Sequence, residues 1–174
     1  LFKLNPNSFA FKWMPLSQAG KEKQSIFHII PDLNNAQTVF YLTTQSGWYR
    51  YDAVMQTIVP HILPADKNQL LKNINNWVSD DRGYWFTSEN GFGYYDVFNN
   101  SLQVLNQHVI FASGQRVTGN IARATEKNYW VTLKRSGILV YDRVAKKDTV
   151  IFGDKNKPDN SGFRVVSVGS NVAL

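Results

Sequence analysis

The chain has no cysteine among its 174 residues. This absence excludes a disulfide framework, a zinc–thiolate site and a thiol nucleophile, but it leaves the cellular compartment open. No apolar run approaches the ~18 residues of a membrane-spanning helix. No basic and apolar leader opens the sequence, so any leader or membrane helix of a parent protein would lie outside this segment.

Motifs of nucleotide-binding and hydrolytic enzymes are also missing. There is no Gly-x-x-x-x-Gly-Lys loop and no Gly-x-Ser-x-Gly elbow. The histidines His28, His61 and His108 lack the spacing of a zinc site, and we interpret His28 as a structural residue of an inner strand. The sequence therefore predicts no metal, no cofactor and no catalysis in this segment.

The charge balance is basic, with 19 Lys and Arg against 13 Asp and Glu, a net charge of +6. Such a balance favours anionic partners. The basic residues are nevertheless scattered, and acids interrupt the clusters at 21–23 and 146–148. We interpret most of them as a solvated surface, and we expect no nucleic-acid partner here.

One motif recurs three times: an aromatic strand, a turn with glycine, and a strand that ends in Asp. The copies cover 40–52, 84–96 and 129–142. Their last residues are 44 and 46 apart, and their glycines keep the same spacing: Asp52, Asp96 and Asp142, with Gly47, Gly91 and Gly137. Residues 1–6 match the end of the motif. A period in the mid-forties indicates one supersecondary unit repeated along the chain.

Each repeat contains four short strand patterns, because an apolar segment precedes each motif and another follows its Asp. Four antiparallel strands per period are typical of a β-propeller blade. A β-sandwich would not require a fixed period, and only 65–73 hints at helical spacing. We predict an all-β fold of about three whole blades, part of a larger propeller. The predicted boundaries are a partial blade at 1–24, blades at 25–63, 74–110 and 117–153, and the start of another at 163–174.

The copies resemble the two-component regulator propeller repeat, whose pattern runs Asp-x-x-Gly, Trp-Ile-Gly-Thr, Gly-Leu-x-x-Tyr-Asp. The residues on this pattern are Asp80, Gly83, Trp85, Thr87, Gly91, Tyr95 and Asp96, then Trp130, Thr132, Gly137, Leu139, Tyr141 and Asp142. Departures include Phe86 and Val131, where the family often has Ile-Gly, and 38–43, which lacks the Trp.

This resemblance implies a periplasmic sensor of a membrane-bound histidine kinase or hybrid regulator, with signalling domains outside this segment. It implies a glycan-derived ligand, the rest of the propeller as a partner, and leaves room for a homodimer. A streptogramin-lyase-like propeller enzyme and a protein–protein scaffold remain the alternatives.

The repeated residues are expected to be structural. Trp85 and Trp130 are predicted to be mostly buried between neighbouring blades. The aspartates Asp52, Asp96 and Asp142 are predicted to accept hydrogen bonds from nearby backbone N–H groups, because each lies in the turn after a strand.

Ligand contacts are predicted in the loops, which differ in chemistry from blade to blade. The candidates lie in the loops from second to third strand and between blades: Gln45, Ser46, Glu89, Asn90, Arg116, Lys134, Arg135 and Arg164. Four of these are basic and could hold a carboxylate or a sulfate.

Overall fold

The computed structural model describes residues 2–5, 10–13, 26–43, 47–63, 71, 74–88, 91–105, 117–133, 137–151, 166–168 and 171–173. Every extended element in these ranges is an antiparallel strand, and of the described residues Leu71 alone is helical. The predicted all-β class is confirmed. The rest of the predicted helical segment at 65–73 lies outside the described residues.

Within the described ranges, sixteen strands follow one another. They are β1 (Phe2–Asn5), β2 (Ala10–Trp13), β3 (Ile26–Pro31), β4 (Thr38–Thr43), β5 (Gly47–Asp52), β6 (Thr57–Pro60), β7 (Ile74–Ser79), β8 (Gly83–Ser88), β9 (Gly91–Asp96), β10 (Ser101–Val104), β11 (Val117–Arg123), β12 (Asn128–Leu133), β13 (Gly137–Asp142), β14 (Lys147–Ile151), β15 (Val166–Val168) and β16 (Asn171–Ala173). As predicted, each Tyr-Asp pair ends the third strand of a blade.

The sheets are blades of a β-propeller. Strands β3–β6 form the first blade, β7–β10 the second and β11–β14 the third, each with its four strands in sequential antiparallel order. The pairs β1–β2 and β15–β16 form two-stranded sheets. The chain divides into two compact units, Leu1–Leu63 and Pro64–Leu174, so the second and third blades belong to one unit.

The strand register aligns the three copies of the repeat. Asp52, Asp96 and Asp142 pair with Thr38, Gly83 and Asn128, which start the second strands. In the structure, Phe40 is therefore equivalent to Trp85 and Trp130. Aligning the sequence motifs by their first residues would instead match Phe40 with Tyr84. The difference arises in the hairpin loops, which have three residues in the first and third blades and two in the second.

The central strand of the second blade is buried on both faces, as its aromatic and β-branched composition predicts. All six residues of β8 are buried. Side chains that point to either face of this strand are therefore part of the core.

The second and third blades share a hydrophobic cluster. Its centre is Trp85, 5% exposed, whose ring lies 4.5 Å from the ring of Tyr129 and 5.5 Å from that of Tyr141. Trp130 lies on the other face of the third blade, where it packs with Ala122 and Ile138 and is only partly buried. Both tryptophans are mostly buried, as predicted. Trp85 lies between the second and third blades, whereas the described neighbours of Trp130 belong to its own blade.

Candidate functional site

All eight predicted ligand-binding residues lie outside the described residues. They are Gln45, Ser46, Glu89, Asn90, Arg116, Lys134, Arg135 and Arg164. The strands that carry three of their loops are described, and they pair up to the last residue on each side: Thr43 with Gly47, Ser88 with Gly91, and Leu133 with Gly137. These hairpin loops leave the same end of each blade.

Two of those hairpins close on a glycine with positive φ. Gly47 has φ 87° and Gly137 has φ 98°, a region that side chains with a Cβ rarely adopt. A three-residue hairpin loop followed by a left-handed glycine is a common arrangement. The spacing of the repeat glycines thus reflects a backbone requirement in the first and third blades. The loop residues between strand and glycine are left free to vary.

The first strands of the second and third blades contact each other through asparagines. Asn76 Nδ2 donates to Asn120 Oδ1 at 3.2 Å, and Asn76 Oδ1 accepts from the backbone N–H of Trp77 at 2.7 Å. The register shifts between Ile74 and Asn76 in β7, where Asn75 is exposed, and between Val117 and Ile121 in β11, the stretch that contains Asn120. These asparagines are not among the binding residues predicted from the sequence. Their separation of 44 residues, the repeat period, was the available signal.

At the other end of the second blade, the carboxylate of Asp80 organises the turn between β7 and β8. Its Oδ1 accepts from the backbone N–H groups of Arg82 at 3.0 Å and Gly83 at 3.2 Å. Two strand side chains also donate to it, Trp85 Nε1 to Oδ2 and the Tyr94 hydroxyl to Oδ1, each at 2.9 Å. This is the Asp of the Asp-x-x-Gly pattern.

Asp80 also binds the third blade. Arg143 Nη1 lies 2.9 Å from Asp80 Oδ2, and the Tyr129 hydroxyl donates to the same oxygen at 3.4 Å. The Asp80 side chain is only 5% exposed. We call this carboxylate and its donors Trp85, Tyr94, Tyr129 and Arg143 the Asp80 clamp.

The clamp sets the ionisation of its members. Burial alone would raise the pKa of Asp80, but hydrogen bonds from Arg82, Trp85 and Tyr94 and the charge of Arg143 outweigh it and lower that pKa. Burial and the charge of Asp80 raise the pKa of Tyr129 to about 12, so its hydroxyl remains a neutral donor at physiological pH. A carboxylate that accepts six donors and stays ionised is a structural acceptor rather than a general base.

The other blades use different chemistry at the same turn. In the first blade Asp32, whose side chain is fully buried, accepts from Thr38 Oγ1 and from Arg50 Nε, each at 2.6 Å. Arg50 pairs with Phe40 just as Tyr94 pairs with Trp85, so a cation replaces a hydroxyl. The third blade has Ala124 in this place, and Thr125 Oγ1 accepts the turn N–H groups instead.

His61 lies beside this first-blade cluster. Its ring centroid is 4.7 Å from that of Phe40 and 6.0 Å from that of Trp48. Burial, followed by the charge of Arg50, lowers the pKa of His61, and the charge of Asp32 only partly opposes them. The imidazole is therefore neutral at pH 7. Of the other histidines, His28 is partly buried in β3 and His108 lies outside the described residues.

The repeated aspartates at the ends of the third strands bind backbone, the role that their turn positions predicted. Asp52 Oδ1 accepts from two N–H groups at 2.8 Å, Asp142 Oδ1 from two at 2.8 and 2.9 Å, and Asp96 Oδ1 from Asn99 N at 3.0 Å. Hydrogen bonds from Ala145 and Val144 lower the pKa of Asp142. Each carboxylate thus holds the turn that follows it.

The described residues contain neither a cluster of metal ligands nor a membrane-spanning helix. No group of three or more His, Cys, Asp or Glu side chains is placed to hold a metal ion. In the same part of the chain, no helix is long and apolar enough to cross a membrane.

Comparison with known proteins shows similarity in fold. The chain is similar to two crystal structures of the extracellular domain of BT4673 from B. thetaiotaomicron, described in one as a hybrid two-component system and in the other as a one-component system. In both, the TM-score is 0.55 and the sequence identity 20%. The matches cover 72% and 76% of this chain but only 16% and 17% of those domains. No protein-family model matches the sequence. No curated protein matches it either.

Proposed function

We propose that this chain is a non-catalytic, ligand-binding segment of a periplasmic sensor in a two-component regulator. The observation that carries the proposal is that the two ends of each blade differ in their chemistry. The described carboxylates hold turns and blades together, while the loops at the opposite strand ends vary from copy to copy. Divergent loops on a rigid repeated scaffold are typical of a recognition surface. The likeness in fold to a sensor's extracellular domain supports the same function.

The ligand that we propose is a glycan fragment, with an acidic one favoured at the third blade. The pair Lys134 and Arg135 occupies the loop where the other blades carry Gln45 with Ser46 and Glu89 with Asn90. Guanidinium and ammonium groups bind carboxylates and sulfates through charge-assisted hydrogen bonds. The rest of a larger propeller and its signalling domains would be the other partners, with a homodimer as a further one.

The test is a thermal-shift screen of the purified chain against neutral and acidic oligosaccharides, followed by calorimetric titration of any that bind. Replacing both Lys134 and Arg135 with alanine should lower the affinity for an acidic ligand by about tenfold or more, since each charge-assisted hydrogen bond contributes about 1.5–3 kcal/mol. Added salt should weaken binding to the wild type as well.

The matched control replaces Lys146 and Lys147 with alanine. These two lysines are exposed at the opposite end of the third blade, and their loss changes the net charge equally. Equal weakening by both double variants would show a general charge effect. An acidic ligand whose affinity is unchanged in the Lys134/Arg135 variant would overturn the proposed site.

A further inference from the structure

The first strands of the second and third blades bring the side chains of Asn76 and Asn120 into contact, and Asn75 directly precedes Asn76 in β7. β7 and β11 are edge strands of their sheets, and each carries an irregularity in register, between Ile74 and Asn76 in β7 and between Val117 and Ile121 in β11. A β-bulge adds a residue that the partner strand does not match, and bulges often re-aim side chains beside functional sites. Here the irregularity leaves Asn75 exposed and Asn76 and Asn120 half-buried.

The hydrogen bonds fix which way the amide groups point. The backbone N–H of Trp77 donates to Asn76 Oδ1, so the oxygen of that amide is identified by its partner. Asn76 Nδ2 is then the group that faces Asn120, and its partner must be the Asn120 oxygen. Consequently the Asn120 NH2 group points away from Asn76 with both of its N–H donors.

Those donors are available for a ligand. Within the described ranges, no hydrogen bond from Asn120 Nδ2 or from the Asn75 amide is present, whereas Asn76 is engaged at both ends of its amide. The Asn120 donors are held in place by a chain of bonds that begins at the backbone. A donor held in this way loses little conformational entropy when it binds.

We propose that Asn75, Asn76 and Asn120, the asparagine cluster, bind hydroxyl groups of an uncharged sugar. A carboxamide can donate to one hydroxyl oxygen and accept from another hydroxyl, and none of the three side chains carries a charge. This inference rests on the proposed glycan-binding function. It differs from that proposal in site and in ligand class, because the acidic ligand was assigned to the loop that contains Lys134 and Arg135.

The experiment titrates the 174-residue chain with uncharged trisaccharides of glucose, xylose, mannose and arabinose, and separately with a heparin tetrasaccharide. Asn120→Asp keeps the oxygen that Asn76 binds and removes the two donors. Asn75→Leu removes an exposed amide, so it should not affect folding. Each should weaken the binding of an uncharged sugar by about tenfold, the effect of one lost hydrogen bond of about 1.4 kcal/mol.

Gln103→Leu is the matched control, because it removes an exposed carboxamide from the outer strand of the second blade. It should leave the affinity unchanged. In two-dimensional NMR spectra, the side-chain amide signals of Asn75 and Asn120 should shift with the uncharged sugar, while that of Gln103 stays in place.

Two results would overturn the asparagine cluster as a site. One is an uncharged sugar that binds the Asn75 and Asn120 variants as tightly as the wild type, and the other is binding of the heparin tetrasaccharide alone. In both cases the proposed sensor function would stand, with its contacts in the loops. Binding of neither class of probe would contradict the glycan assignment as a whole.

Discussion

Among single residues, Asp80 makes the largest number of polar contacts described in the second and third blades. Replacing it with alanine removes the acceptor of Trp85 and Tyr94 and leaves the Arg143 guanidinium without its counter-charge. Removal of one partner from a buried ion pair costs about 3–5 kcal/mol. Because the Arg143 side chain is 30% exposed, we expect the free energy of unfolding to fall by about 2–3 kcal/mol, measured in urea.

The control for Asp80 is its neighbour Asp81, which is exposed. Asp81→Ala should change the free energy of unfolding by less than about 0.5 kcal/mol. The lowered pKa of Asp80 also predicts a pH dependence. The carboxylate contributes its full stabilisation above the ordinary pKa of an aspartate, and this stabilisation is lost as the pH falls through the lower pKa of Asp80 in the native state. Equal losses in the two variants would contradict the Asp80 clamp.

His61 gives a second prediction, in the first blade. Its native pKa is lowered, so the unfolded chain takes up a proton at a higher pH than the native chain does. The stability of the native state should therefore fall as the pH drops below about 6.5. His61→Leu should flatten this dependence between pH 7 and pH 5 in urea unfolding. Leucine should fit, because Leu105 makes the equivalent backbone bond in the second blade.

A pH dependence that is identical in wild type and His61→Leu would show that other groups cause the acid sensitivity. Carboxylates that are hydrogen-bonded in the native state, such as Asp80, lose their contribution at lower pH. The two effects can therefore be separated by the range in which stability is lost.

At the scale of elements, the turns between third and fourth strands contain backbone strain. Gln56, Asn100 and Lys146 occupy equivalent positions with φ between 47° and 54°. A residue other than glycine in this region costs about 1 kcal/mol, and asparagine tolerates it best. Lys146→Gly should therefore raise the free energy of unfolding by about 0.5–1 kcal/mol.

The control for that turn is Ala145→Gly, at a neighbouring position without positive φ. It should lower stability, because glycine increases the entropy of the unfolded chain without relieving strain. In thermal unfolding, the midpoint temperature should rise for Lys146→Gly and fall for Ala145→Gly. A loss of stability in Lys146→Gly would indicate that the turn is not strained.

The strands could largely be predicted from the sequence, and the contacts between blades could not. Aromatic strand patterns, the repeat glycines and the final Asp of each motif located the strands of the three blades. Matching the motifs from their first residues places Phe40 one residue out of register with the other two copies, because the hairpin loops differ in length between the first and second blades. No local sequence pattern indicates that Asp80 contacts Tyr129 and Arg143, which are 49 and 63 residues away. The period predicts which blades are neighbours but not which side chains join them.

For the whole molecule, the repeats should be coupled mainly to their neighbours, as in other repeat proteins. Among the described residues of the unit that contains the second and third blades, three interactions cross from blade to blade: the Asp80 clamp, the hydrophobic cluster around Trp85 and the hydrogen bond from Asn76 to Asn120. The clamp depends on a residue that the third blade does not reproduce, since Ala124 stands in the place of Asp80. Equivalent positions therefore should not contribute equally to stability.

The two repeat tryptophans test this coupling. Trp85→Ala removes a ring that contacts Tyr129 and Tyr141, and it should cost about 3–5 kcal/mol. Trp130→Ala, at the equivalent position, should cost less, about 1–2 kcal/mol, because the ring is only partly buried.

In hydrogen exchange measured by mass spectrometry, Trp85→Ala should speed exchange in β8 and β9 and also in β12 and β13. Trp130→Ala should act on the third blade and leave β8 and β9 protected. Faster exchange confined to the second blade in Trp85→Ala would show that the shared cluster does not couple the two repeats.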